Sequence, residues 1–177
     1  MSETSNQSYE IQFGPKLAEL CKKCSESITE DAKTDLLANL NKFTEEVFFE
    51  CRDRIRTEFS VKFPPLQIKR CNATQFEELR RLYSVTGAST TAFFVPALGL
   101  IAVNVEAILK WNVPTFVLNL VLGFIEELLH ASFPRYAEPE IKNLTHATVE
   151  KYLGTQIPEN YKNISLQESK KPTYGQD

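Results

Sequence analysis

Residues 116–129 form the most apolar stretch of the chain, and only Asn119, Glu126 and Glu127 carry strongly polar groups within it. A helix that is greasy on nearly every side has to be enclosed by other elements. The stretch is too short to cross a bilayer, and its two glutamates sit badly with that use. It is therefore expected to be a buried helix at the centre of the fold. Pro114 fits its first turn, Asn112 can cap it, and Phe133-Pro134 ends it. The two glutamates are the anomaly, because an unpaired carboxylate inside an apolar helix is costly.

The rest of the chain can supply the enclosure. It has 177 residues, 42% of them hydrophobic and 12 of them Phe, enough for one domain with its own core. Lys and Arg number 20 against 23 Asp and Glu, a formal charge of −3, which disfavours a dedicated nucleic-acid binder. Arg52, Arg54 and Arg56 form a local basic group, but Glu50, Asp53 and Glu58 interrupt it. The first ten residues lack the basic start and apolar stretch of a secretory signal, so a cytoplasmic location is expected. Cys21 and Cys24 are spaced as Cys-Lys-Lys-Cys, but they fall in a helical pattern with Leu17, Leu20 and Ile28. Reduced thiols on a half-buried helix are the first reading, and a disulfide is the second. A four-cysteine metal site comes last, because Cys51 and Cys71 form no second close pair.

Punctuation and periodicity give an α+β order. Residues 1–13 are polar and expected to be flexible. Pro15 opens a helix to about Ile28, a second helix spans 31–59, residues 66–70 suit a short strand, and 73–83 a short helix. Residues 90–95 and 100–105 read as two strands around a Pro-Ala-Leu-Gly turn, a possible hairpin, with helical periodicity again at 105–109. After the apolar helix, Pro139 opens another to about Leu153. Residues 14–154 thus form the expected single domain, and 155–177 a flexible tail.

The chemistry is expected in the segment Phe124-Ile125-Glu126-Glu127-Leu128-Leu129-His130. Glu126 and His130 are four apart and share one helical face, where two side chains can grip one ion. Glu127, next around the helix, can reach water at that ion. With two histidines in the chain, a three-histidine site is excluded, and carboxylates or thiolates would have to complete the shell. On the next helix, taking Ile141 as the inward direction, Glu138 lies at about +60° and Glu140 at about −100° at 100° per residue. Glu138 is the first candidate for a third ligand and Glu140 the second. His146, at about 140°, points away from that stripe. The plain alternative is that Glu126 and His130 form only an i, i+4 ion pair at the end of a buried helix.

Residues 88–153 resemble the core of a small zincin metallopeptidase of the gluzincin type. Phe93-Phe94-Val95-Pro96 precedes Ile101-Ala102-Val103-Asn104, which resembles that family's Ile-x-Val-Asn strand. Glu126-Glu127-Leu128-Leu129-His130 resembles its His-Glu-x-x-His helix, with glutamate in the place of the first histidine. The segment from Pro134 to Thr145 resembles the following loop and glutamate-bearing helix. The resemblance implies a zincin-like α+β fold, with N-terminal helices packed on a small sheet. It also implies zinc or another divalent metal held by Glu126, His130 and Glu138 or Glu140, with Glu127 as catalytic base in peptide hydrolysis. Tyr136 is the nearest candidate for stabilising substrate.

The added negative charge of Glu126 weakens the ion as a Lewis acid. The second reading is accordingly an inactive zincin-fold protein that works through protein contacts. The expected partner is a peptide or protein, with an extended peptide pairing to strand 90–95 or 100–105. Neither nucleic acid nor a membrane span is expected.

Overall fold

The computed structural model describes residues 14–28, 36–63, 65–84, 92–95, 98–104, 112–159 and 162. The expectations for residues 1–13, 31–35, 90–91, 96–97, 105–109 and most of the chain beyond 159 fall outside these.

The elements run α1 (Pro15–Ser27), α2 (Leu36–Phe59), β1 (Gln67–Cys71), α3 (Ala73–Leu82), β2 (Ala92–Val95), β3 (Leu100–Asn104), α4 (Val113–Ser132) and α5 (Glu138–Leu153). The arrangement is α+β, and α2 runs unbroken over its 24 residues. The three-stranded sheet has the order β1-β3-β2. β2 and β3 are antiparallel, with Phe93 opposite Ala102, as the hairpin reading requires. Gly99 sits in the turn before β3 with φ +58°, and a Cβ there would lie 2.4 Å from the Pro65 carbonyl oxygen. Only glycine fits that approach. β1 adds in parallel on the far side of β3, with Ile68 opposite Ile101.

β3 is buried on both faces. Ile101 and Val103 enter the main core, and Ala102 joins Phe76 of α3, Phe93 and Cys71 in a second cluster. The sheet is therefore a middle layer, with α3 on one side and the other helices opposite.

α4 is the helix the sequence places at the centre. The Asn112 side chain accepts a hydrogen bond from Thr115 N–H at 3.0 Å, and Pro114 lies in the first turn. The helix starts and stops where Asn112-to-Pro114 and Phe133-Pro134 place its limits, and so runs beyond the apolar stretch 116–129 at both ends. At 20 residues it is long and apolar enough to cross a membrane by length and composition alone. Its apolar side chains are already covered by protein: α1, α2, α5 and β2 all pack against it. Phe116, Val117, Leu120, Val121, Phe124, Ile125, Leu128 and Leu129 are each at most 1% exposed. Phe124 meets Phe48 of α2 edge to face, with ring centroids 5.3 Å apart. One correction follows for the N-terminal helices. They pack chiefly on α4, and α4 in turn meets the sheet through β2. The apolar circumference of α4 is what the sequence offers them to cover.

A second correction concerns residue 155 onward. Thr155 and Ile157 are 3% exposed, and Ile157 belongs to the main core. Gly14 N–H donates to Thr155 Oγ1 at 2.9 Å, tying the start of α1 to the end of α5. Ile157 N–H donates to Glu150 Oε1 at 3.0 Å. The boundary at 154 fails because one apolar side chain and two satisfied backbone donors suffice to hold this stretch in place. The same fold-back overturns the outward placement of His146, which is 5% exposed. α5 is covered by α4, by α1 and by the residues after Gly154, whose Glu159 and Lys162 lie near His146.

Candidate metal centre

α4 and α5 lie side by side, and three polar side chains meet between the last two turns of the first and the first turn of the second. His130 Nε2 is 3.1 Å from Glu138 Oε2 and 4.0 Å from Glu126 Oε1. One ligand atom from each of Glu126, His130 and Glu138 lies within 4.8 Å of the others, so this cluster can hold a metal ion. Helical spacing puts Glu126 and His130 on one face, and the Pro134 to Ala137 connection delivers Glu138 opposite them.

The donor set fits a small divalent cation. Bonds of about 2.0–2.2 Å to imidazole and carboxylate put tetrahedral ligand atoms about 3.3 Å apart. The His130–Glu138 separation is already close to that, and Glu126, 4.0 Å from His130, has to draw in. All three side chains keep partial access to solvent, at 28%, 34% and 17% exposure for His130, Glu138 and Glu126, so an ion has a way in.

The electrostatics follow from crowding three glutamates around one histidine. Burial opposes a charged imidazole, but the hydrogen bond to Glu138 and the fields of Glu127, Glu138 and Glu126 outweigh it. The His130 pKa is raised above the ordinary 6.5. The same hydrogen bond holds Glu138 below the ordinary 4.5, against the opposing effect of its burial. Glu127 goes the other way. Desolvation first, and repulsion from Glu126 next, push its carboxyl up to about 8. Lys142 and His130 act against that rise, which places Glu127 within the electrostatic reach of the whole cluster.

Comparison with protein-family models, curated proteins and solved structures returned no match. The reading of the site therefore rests on its own geometry.

Of the residues expected to act here, the structure brings Glu126, His130 and Glu138 together, with Glu127 alongside. It leaves Glu140 out. Glu140 Oε2 instead accepts from Ala137 N–H at 2.8 Å and closes the N-terminus of α5. Tyr136 is half exposed and stacks on Phe133, with centroids 4.9 Å apart. All four cysteines are free thiols, and Cys24, Cys51 and Cys71 are buried. Desolvation raises the Cys21 thiol to about 11 and Cys24 to about 12, which suits inert core thiols better than nucleophiles or ligands.

One participant was missed. Lys142 Nζ lies 2.7 Å from Glu126 Oε2, with both side chains under 20% exposed. A signal for it existed: Lys142 is four residues after Glu138 and so shares its helical face.

Proposed function

We propose that this protein is a metal-dependent hydrolase of zincin type that acts on peptides. The observation that carries the reading is the convergence of Glu126, His130 and Glu138 from two helices, with Glu127 next to the first ligand. A divalent ion held there would supply Lewis acidity toward a peptide carbonyl.

The chain's own groups have separable tasks in this account. Glu126 Oε1, His130 Nε2 and Glu138 Oε2 hold the ion. The Glu127 carboxylate takes a proton from water and passes it to the leaving amine. Substrate can lie along β2. Of the two strands considered for pairing, β3 is bonded on both sides, whereas β2 has a free edge among the described residues and packs against α4. An extended peptide would add to that edge through main-chain hydrogen bonds.

The test is cleavage of a mixed peptide library by zinc-loaded protein. Cleavage is expected to stop with chelator and return with zinc. Glu127→Gln is expected to lower it by about 100-fold or more with zinc content unchanged. Zinc binding without cleavage would favour the second reading, an inactive relative acting through protein contacts. A specific observation supports that alternative: the Lys142–Glu126 ion pair balances charge in the cluster with no ion present. The basic residues give less support to nucleic-acid binding, since Arg54 pairs with Glu58 at 3.1 Å and Arg70 with Glu45 at 3.0 Å.

A further inference from the structure

The geometry assigns Lys142 the role of counter-charge to the metal centre: its ammonium competes with a divalent ion for Glu126 and so sets how tightly that ion is held. This rests on the metal-centre reading above and adds a control on the same site.

The two oxygens of Glu126 face different ways. Oε2 is 2.7 Å from Lys142 Nζ, and Oε1 turns toward His130 at 4.0 Å. One carboxylate thus joins the ligand cluster to an internal cation. Lys142 and Glu138 are one turn apart on α5, so the same turn carries both a ligand and the cation opposing the ion. Both members of the pair are mostly shielded, and little solvent is available to screen the ammonium from a charge arriving at Oε1.

The count of charges gives the pairing a purpose. A carboxylate in place of a neutral imidazole adds one negative charge to the shell. Lys142 removes it, so Glu126, Lys142, His130 and Glu138 together carry one net negative charge, as two histidines and one glutamate would. An uncharged side chain hydrogen-bonded to a ligand orients it, and losing it weakens metal binding. A cation at that distance acts in the opposite sense, by repelling the ion and drawing electron density from the ligand. The two roles predict changes of opposite direction when Lys142 is replaced.

The experiment is zinc affinity of the full chain, measured by competition with a chromophoric chelator, for wild type, Lys142→Met, Lys142→Gln and Lys142→Arg. The Met and Gln variants are expected to bind zinc about tenfold or more tightly than wild type, and Arg close to wild type. Metal-free Lys142→Met is expected to melt lower than wild type, because Glu126 loses its cation. Saturating zinc should then raise its Tm by more than it raises that of wild type. Lys142→Gln keeps a hydrogen-bond donor without charge, and serves if the Met variant folds poorly. Equal or weaker binding by the Met and Gln variants, with wild type binding zinc, would overturn the proposal and leave the metal-centre reading standing. No binding by any variant would overturn both.

Discussion

His130 Nε2 stands 3.1 Å from Glu138 Oε2, and a proton on that nitrogen occupies the place an ion would take. The hydrogen bond to Glu138 and the neighbouring carboxylates hold this proton more tightly than an ordinary imidazole would, so it competes with an incoming ion. Metal must displace it, and affinity is expected to rise with pH, approaching about tenfold per unit while His130 remains protonated. Zinc titrations between pH 6 and pH 8 test this. An affinity independent of pH over that range would contradict it.

The metal-free protein should lose stability over the same range. Glu127 has its folded pKa raised from 4.5 to about 8, so its ionisation penalises the fold progressively as pH rises between those values. His130 works in the same direction. Its pKa is also raised, so the stability it lends is complete below about 6.5 and fades as pH climbs through its folded pKa. With chelator present, Tm is expected to fall from pH 6 to pH 8. Glu127→Gln should flatten that slope and stabilise the metal-free protein at pH 8. Thermal melts of the two proteins at both pH values decide the matter.

The site depends on α4 being held rigidly by α2. Phe124 is fully buried and meets Phe48 at 5.3 Å. Phe124→Ala removes most of an aromatic side chain from a closed core and is expected to cost about 3–5 kcal/mol. Denaturant unfolding measures this directly, and a cost below about 1 kcal/mol would mean the core is packed otherwise.

The clasp between the ends of the domain is open to a smaller test. Thr155→Val keeps the shape but leaves the buried Gly14 N–H without its acceptor at 2.9 Å, at a cost of about 1–3 kcal/mol. Gly14→Ala should cost more. Its Cβ would lie 2.4 Å from the carbonyl oxygens of Leu153 and Gly154. Comparing the midpoints of the two variants in urea checks the order.

The parts of this fold legible in the sequence are those decided locally. Pro15 and the Asn112-to-Pro114 segment mark helix starts because a fixed φ and a capping side chain act within one turn. Residues 116–129 announce a central helix because nothing else hides such a segment. The parallel pairing of β1 with β3 was not legible, since it joins residues more than thirty positions apart and leaves no periodic mark. His146 misled for a related reason. Placing residues around a helix assumes one buried face, and α5 is covered by α4, by α1 and by the residues after Gly154. At the site, Glu138 could be ranked above Glu140 from the helical angle, and Glu140 has a local use in capping α5. Lys142 carries no such mark, because lysine is not a metal ligand, and its part appears only once Glu126 is placed across from it.

The most direct measurement is zinc content by elemental analysis after equilibration with zinc and removal of excess. Wild type, Glu127→Gln and Glu140→Ala are expected to retain one ion per chain. Glu126→Ala, His130→Ala and Glu138→Ala should each lose it, as expected when one of three protein ligands is gone. Retention of zinc by the His130 and Glu138 variants, or its absence from wild type, would contradict a metal centre between α4 and α5.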